Sequence, residues 1–292
     1  MTLHSTFERL DSVLDTSVNF FRPTSDGGKI EARFVQRTPE RFIAYISSMS
    51  GCDKACRFCH LTQTGQTMAM HLSADEMMEQ AEQVLSSSDF GIATTVHYNF
   101  MARGEPLTNP AVNASLFKRL ADLAASYGLQ CRIKISSILP LDVVSDDGSH
   151  LIAEGGPPVD LYYSLYSLDK AWRRRWIPKA LSPDVALQWL HRFQTKSGNR
   201  VILHWALIDK ENDDPQAGEQ AIKFAKEMGV NADFNLVRYN PANEKSKETP
   251  EESIDNYLDI IERALPVGRR AQKVSRVGYD VAASCGMFLT DA

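Results

Sequence analysis

From residue 41 onward, short apolar runs alternate with longer stretches in which apolar residues recur every three or four positions. The runs 42–47, 94–101, 131–136, 160–167, 201–208 and 232–237 are rich in β-branched, leucine and aromatic side chains and read as buried strands. Between most of them lie the amphipathic stretches 74–85, 110–125, 183–195 and 215–228, with 251–264 closing the series, and these read as helices. Repeated strand–helix units imply a parallel sheet with helices packed outside it. Six such units predict an α/β fold, an incomplete (β/α)6 barrel rather than a closed eight-fold one. Ahead of it, 18–21 and 30–36 flank the turn signal Ser25-Asp26-Gly27-Gly28 and predict a small β-hairpin, preceded by a helix near 5–15. The expected division is therefore residues 1–40, a short helix and hairpin, and residues 41–292, the partial barrel with a C-terminal segment that carries Cys285.

Composition narrows the class without fixing the chemistry. Hydrophobic residues make up 43% and charged residues 24%, ordinary values for a globular protein. No run of about eighteen apolar residues predicts a membrane span, and Met1-Thr2-Leu3-His4-Ser5 lacks the basic-then-apolar pattern of a secretion signal. A net charge of −5 argues against indiscriminate nucleic-acid binding, so any such contact needs a local patch.

Chemistry enters with Gly51-Cys52-Asp53-Lys54-Ala55-Cys56-Arg57-Phe58-Cys59-His60. A C-x3-C-x2-C loop sets three thiolates on one face of a short turn, which suits a [4Fe–4S] cluster with one iron left open. A Cys3His zinc site with His60 is the first competitor. Structural zinc sites usually show a second knuckle, and here the only other cysteines, Cys131 and Cys285, are isolated. Disulfides are the second competitor, but five is an odd count and a chain of 292 residues stabilises a core without staples. Free thiolates and an oxygen-sensitive cluster predict a reducing, cytoplasmic location. The triplet resembles that of the radical S-adenosylmethionine (SAM) superfamily, in which the open iron chelates SAM and passes it one electron. That resemblance implies a radical SAM barrel, with the triplet just after the first barrel strand at the C-terminal rim.

Four further segments, in order, resemble the RlmN/Cfr family of RNA adenosine methyltransferases. They are Ser47-Ser48-Met49-Ser50-Gly51, Met101-Ala102-Arg103-Gly104-Glu105-Pro106-Leu107-Thr108-Asn109, Asn235-Leu236-Val237-Arg238-Tyr239-Asn240-Pro241, and Asp280-Val281-Ala282-Ala283-Ser284-Cys285-Gly286. The resemblance implies SAM contacts at Gly104, Glu105, Pro106, Ser136, Ser164 and Asn240, and a methyl-carrying thiol at Cys285. In the family one SAM methylates this thiol. A second is cleaved to a radical that takes a hydrogen from the S-methyl group, whose carbon then adds to the adenine. Without the resemblance, Gly104-Glu105-Pro106 is equally a plain strand-to-helix turn, and Cys285 a small buried hydrophobe.

Two departures from the family stand out. Its resolving cysteine lies seven residues before the first cluster cysteine, where this chain has Tyr45, so turnover is expected to use another route, Tyr45 as a catalytic acid/base or an external thiol, or to end in a different product. Cys131 opens the third predicted strand, so about six residues at ~3.3 Å each, roughly 20 Å, separate it from the rim. Fewer than twenty residues precede the hairpin, so the family's helical RNA-binding extension is not expected. Substitute RNA contacts are expected at Arg173, Arg174 and Arg175, between Trp172 and Trp176 with Lys179 nearby, and at Arg269, Arg270, Lys273 and Arg276. The expected partners are thus RNA, ribosomal or transfer, and a flavodoxin- or ferredoxin-type reductase. The alternatives kept are a radical SAM enzyme acting on a nucleotide, small molecule or peptide, and a non-catalytic RNA-binding relative.

Overall fold

A computed structural model describes residues 6–290. Four antiparallel strands open the chain: β1 (Glu8–Asp11), β2 (Val18–Pro23), β3 (Lys29–Thr38) and β4 (Arg41–Tyr45). Then follow α1 (His60–Gln63), α2 (Ala74–Ser87), β5 (Thr95–Phe100), α3 (Ala114–Ser126), β6 (Gln130–Ser137), β7 (Val159–Ser164), α4 (Lys170–Trp176) and α5 (Pro183–Ser197). The series ends with β8 (Val201–Ala206), α6 (Pro215–Glu227), β9 (Ala232–Val237), α7 (Glu251–Ala264) and β10 (Ala271–Val274). All ten strands form one sheet in chain order, parallel from β4 to β10.

The expected α/β partial barrel is what forms. Its six predicted parallel strands are all present, and the short β10 adds a seventh at the edge. The predicted hairpin is β2–β3, with Gly27 at φ +81° in its turn. The helix expected over 5–15 is corrected. Residue 5 lies outside the described residues, and the rest contains β1, which pairs with the edge of β2. Every residue of β1 is exposed, so no helical face would have had a core to bury.

Side-chain alternation explains how the sheet makes a site. One face of the parallel strands sends Phe42, Tyr98, Ile133, Leu161, Leu203 and Phe234 into the apolar layer beneath the helices. The alternate positions, Tyr45, His97, Asn99, Lys134, Tyr162, His204 and Asn235, face inward and line a cavity. The core therefore lies outside the barrel wall, and the lumen is polar. On the outer layer α2 is fixed by a capping box, in which Glu76 N–H donates to Ser73 Oγ (3.2 Å) and Ser73 N–H to Glu76 Oε2 (2.8 Å). No helix among the described residues is long and apolar enough to cross a membrane.

Candidate active site

Cys52, Cys56 and Cys59 follow β4 in a tight loop and face a common cavity. Gly51 is forced by crowding, since a Cβ there would lie 2.3 Å from the Met68 carbonyl oxygen. Ala55 takes φ +57°, a strained conformation for a residue with a side chain. Lys54, only 3% exposed, pins the loop through Asp53 (2.9 Å) and Asp142 (2.7 Å). Behind it, the Arg57 N–H donates to the Trp176 carbonyl (2.9 Å), and Phe58 packs on Tyr166 at 4.6 Å between centroids.

The donor set is the one a [4Fe–4S] cubane takes, three cysteines bordering one cavity. Among the described residues no three His, Cys, Asp or Glu side chains are preformed around a metal ion. His60, the fourth ligand of the zinc reading, instead hydrogen-bonds through Nε2 to the Asn240 carbonyl (3.1 Å). The cysteines nonetheless feel one another. Burial and then the charge of Cys59 push Cys52 up to about 12, and burial followed by Cys52 and Cys59 raises Cys56 well above the usual thiol range. Three separate sulfurs around one cavity match the three cysteine-held corners of a cubane.

The same cavity is lined by Gly104, Glu105, Ser136, Ser164, Asn240 and Cys285. Pro106 does not line it; buried, it begins a single 3-10 turn over Pro106–Thr108. Gly104 sits at φ +98°, and a Cβ would fall 2.6 Å from the Met49 Cβ. Gly104→Ala is expected to cost roughly 1–3 kcal/mol from the backbone alone, before that clash is counted. Chemical denaturation checks this, and an unchanged midpoint would refute it.

Glu105, 5% exposed, accepts from Leu107 N–H (3.1 Å) and Ile138 N–H (3.2 Å). Burial pushes its carboxyl up to about 7, against the lowering by these bonds and Ser137. Asn240 donates through Nδ2 to the Cys285 carbonyl (2.8 Å) and Ser284 Oγ (3.2 Å), while its buried Oδ1 has no partner.

The segment carrying Cys285 is clamped by a buried ionic triad. Glu31 accepts from Arg103 Nε (2.7 Å) and Arg33 Nη2 (2.8 Å). The two arginines in turn donate to the carbonyls of Leu289 (2.9 Å) and Met287 (2.7 Å). Asn19 adds a bond to the Val281 carbonyl (2.9 Å). So held, Cys285 places Sγ 4.0 Å from His204 Nε2, and burial pushes the thiol up to about 11.

Tyr45 is elsewhere. It lines a second cavity with His97, Asn99, Lys134 and Tyr162, and only Met101, His204, Val237 and Cys285 border both. Cys131 lines neither. The sequence reading missed His204, Tyr166 at φ +57°, and the triad. A histidine inside Val-Ile-Leu-His-Trp-Ala was the available signal.

Part of the expected basic–aromatic patch is corrected: Arg175, paired with Glu211, and Lys179 are exposed, but Arg173 and both tryptophans are not. Arg173 is 5% exposed, and its guanidinium donates to the carbonyls of Leu165 (2.6 Å) and Leu181 (2.8 Å). Trp172 and Trp176 are buried and stacked on each other at 5.7 Å. This short helix braces the cluster loop from behind. In the second patch Lys273 pairs with Glu251 (2.6 Å) and Asp255, Arg276 with Glu248 (3.0 Å), and Arg269 approaches Asp233 (3.9 Å). Arg174 and Arg270 are exposed.

An open parallel barrel with a three-cysteine loop at its C-terminal rim, facing a cavity for a small cosubstrate, defines a radical SAM enzyme. No protein-family model matches the chain. It is 30% identical over 283 residues to a probable dual-specificity RNA methyltransferase RlmN of Prochlorococcus marinus, covering 94% of this chain and 75% of that protein. A probable RNA methyltransferase of Rhodopirellula baltica is 26% identical, with 98% and 74% covered. In fold, a radical SAM methyltransferase from Sphaerobacter thermophilus superposes with a TM-score of 0.72 at 19% identity, over 96% of this chain and 79% of that one. The chain belongs to the RlmN family of radical SAM RNA methyltransferases, enzymes that use a [4Fe–4S] cluster and SAM.

Proposed function

We propose that this enzyme methylates a carbon of adenosine in RNA, with the Cys285 sulfur as carrier of the one-carbon unit. The supporting observation is the position of Cys285, bordering both the cysteine-loop cavity and the polar lumen. When bound, the cluster and SAM supply an electron, a methyl group and the means of abstracting hydrogen. Cys52, Cys56 and Cys59 would hold the cluster as thiolates and release protons on loading, because burial otherwise keeps them protonated. The Glu105 carboxylate is suited to the ammonium of SAM, and the Ser136 and Ser164 hydroxyls and the unpaired Asn240 Oδ1 to its nucleoside. A flavodoxin- or ferredoxin-type reductase would deliver the electron.

Reconstituted protein given SAM is expected to carry one methyl group on Cys285, read by peptide mass spectrometry. Only unmodified Cys285 after that treatment would sink the proposal. Because the Glu105 carboxyl is held up at about 7 and the α-ammonium of SAM titrates only at about pH 8, SAM affinity is expected to rise by roughly fivefold between pH 6 and pH 7. Titration calorimetry tests this; a flat profile removes Glu105 from the site.

A second reading is favoured by Tyr45. Outside the triplet, Cys285 is the only thiol among the described residues that lines either cavity, and a phenol cannot form a resolving disulfide. Under this reading the radical chemistry is kept, and a nucleotide, small molecule or peptide is converted instead. Deoxyadenosine formation with no label passing from methyl-SAM to RNA would select it.

A further inference from the structure

The second cavity lies where the parallel run fails to close. Its walls come from every strand of that run, and they include β4 and β10, the first and last, which do not pair with each other. The carboxylates at this end of the barrel already have partners. Asp160 pairs with Arg132 (2.8 Å) and Arg200 (3.8 Å), and Asp233 is bound by Arg200. Lys273 is likewise spent on Glu251 and Asp255. Three cations lining the cavity, Arg37, Arg41 and Lys134, have no carboxylate within ion-pair distance among the described residues. The arginines are exposed at the mouth. Lys134 is half-buried, 5.4 Å from the centre of the Tyr162 ring.

Unpaired charge in a partly dry cavity is unfavourable, and the neighbouring groups register it. Burial, then Arg41 and Arg200, outweighs the pull of Asp160 and brings Lys134 down to about 8. Burial with Lys134 and Arg41 brings His97 down to about 3. An anion entering here would relieve both. Deeper in, Asn99 Oδ1 and His204 Nδ1 are buried without a hydrogen-bond partner. A polar heterocycle reaching Cys285 would pass those two atoms.

We propose that this cavity is a nucleotide site in which Lys134, with Arg37 and Arg41 at the mouth, takes a phosphate ester of the nucleotide whose base faces Cys285. The inference rests on the nucleoside-substrate reading above. Arginine forks and a lysine ammonium suit phosphate oxygens, and up to three positive charges match a monoester or a stretch of phosphodiester. A free mononucleotide and an RNA backbone present the same chemistry at this point.

The test uses the full chain with its cluster reconstituted anaerobically and SAM saturating. Equilibrium binding is measured for adenosine, adenosine 5′-monophosphate and a five-nucleotide RNA with one adenosine. Monophosphate or RNA is expected to bind at least about tenfold more tightly than adenosine. Lys134→Gln should remove most of that advantage with adenosine affinity unchanged, and Lys134→Arg should restore it. Tighter binding of the monophosphate points to a free nucleotide, and of the RNA to a backbone phosphate. Equal affinity for adenosine and the monophosphate, an advantage that survives Lys134→Gln, or no binding of any probe would overturn the proposal. Cys285 methylation is read by mass spectrometry in the same samples. A preparation that methylates Cys285 and shows no phosphate preference defeats this inference alone.

Discussion

Replacing Glu31 by alanine is expected to cost the fold roughly 3–5 kcal/mol and to lower Tm by on the order of 10 °C. The carboxylate is completely buried between two guanidinium groups that are themselves about 1% exposed. Removing it leaves two buried positive charges facing each other, with only backbone carbonyls to balance them. Burial alone would raise the Glu31 carboxyl, but Arg33 and Arg103 outweigh it and hold it below the usual range. A depressed carboxyl contributes stability that is complete above its unfolded value near 4.5 and is lost as pH falls through the folded one. The deficit of the variant should therefore be full at neutral pH and shrink in acid. Glu31→Gln keeps the shape and isolates the charge. Denaturant unfolding at pH 7 and pH 4 measures both variants, and a loss below about 1 kcal/mol for Glu31→Ala would show that the triad does not hold this region.

The second large effect concerns the cysteine loop. Cys52→Ala, Cys56→Ala or Cys59→Ala should each abolish the visible absorbance of a reconstituted [4Fe–4S] cluster and take deoxyadenosine formation to background. With three protein ligands and no spare, a cubane loses an anchored corner at every such change. His60→Ala should retain both signals, since His60 is engaged with the Asn240 carbonyl. Loss of metal on removing His60, with iron absent and zinc present in the wild type, would restore the Cys3His reading.

What was legible in the sequence follows from how strongly each element marks itself. Strands such as Val201–Ala206 combine β-branched and aromatic residues, and they are buried throughout. β10, Ala-Gln-Lys-Val, has only four residues, two of them exposed, and left no period to read. Helix α4 passed for a charged surface because Trp172-Arg173-Arg174-Arg175-Trp176 looks basic in one dimension. In three dimensions one turn buries Arg173 and both tryptophans. The cluster cysteines were readable because their ligand spacing is local. The triad was not, because Glu31 and Arg33 are two apart on β3 but Arg103 comes from the loop after β5, 72 residues from Glu31, and meets them only after folding. The polar lumen had a signal that went unused: Arg41, His97, Lys134, Asp160, His204 and Asp233 interrupt otherwise apolar strands. Charges at such positions point inward when helices cover the other face.

Cys285 lies 226 residues after Cys59 (285 − 59), and Asn240 joins the two regions by bonding the carrier segment with its side chain and His60 with its carbonyl. A chain leaving the ribosome at about 5–20 residues per second has therefore displayed its cluster loop for many seconds before the carrier thiol exists. During that interval the triplet lacks its cover and is open to oxygen and stray metals. The clasp is also a closing step in biogenesis, and premature metallation is a hazard set by the order of the segments along the chain.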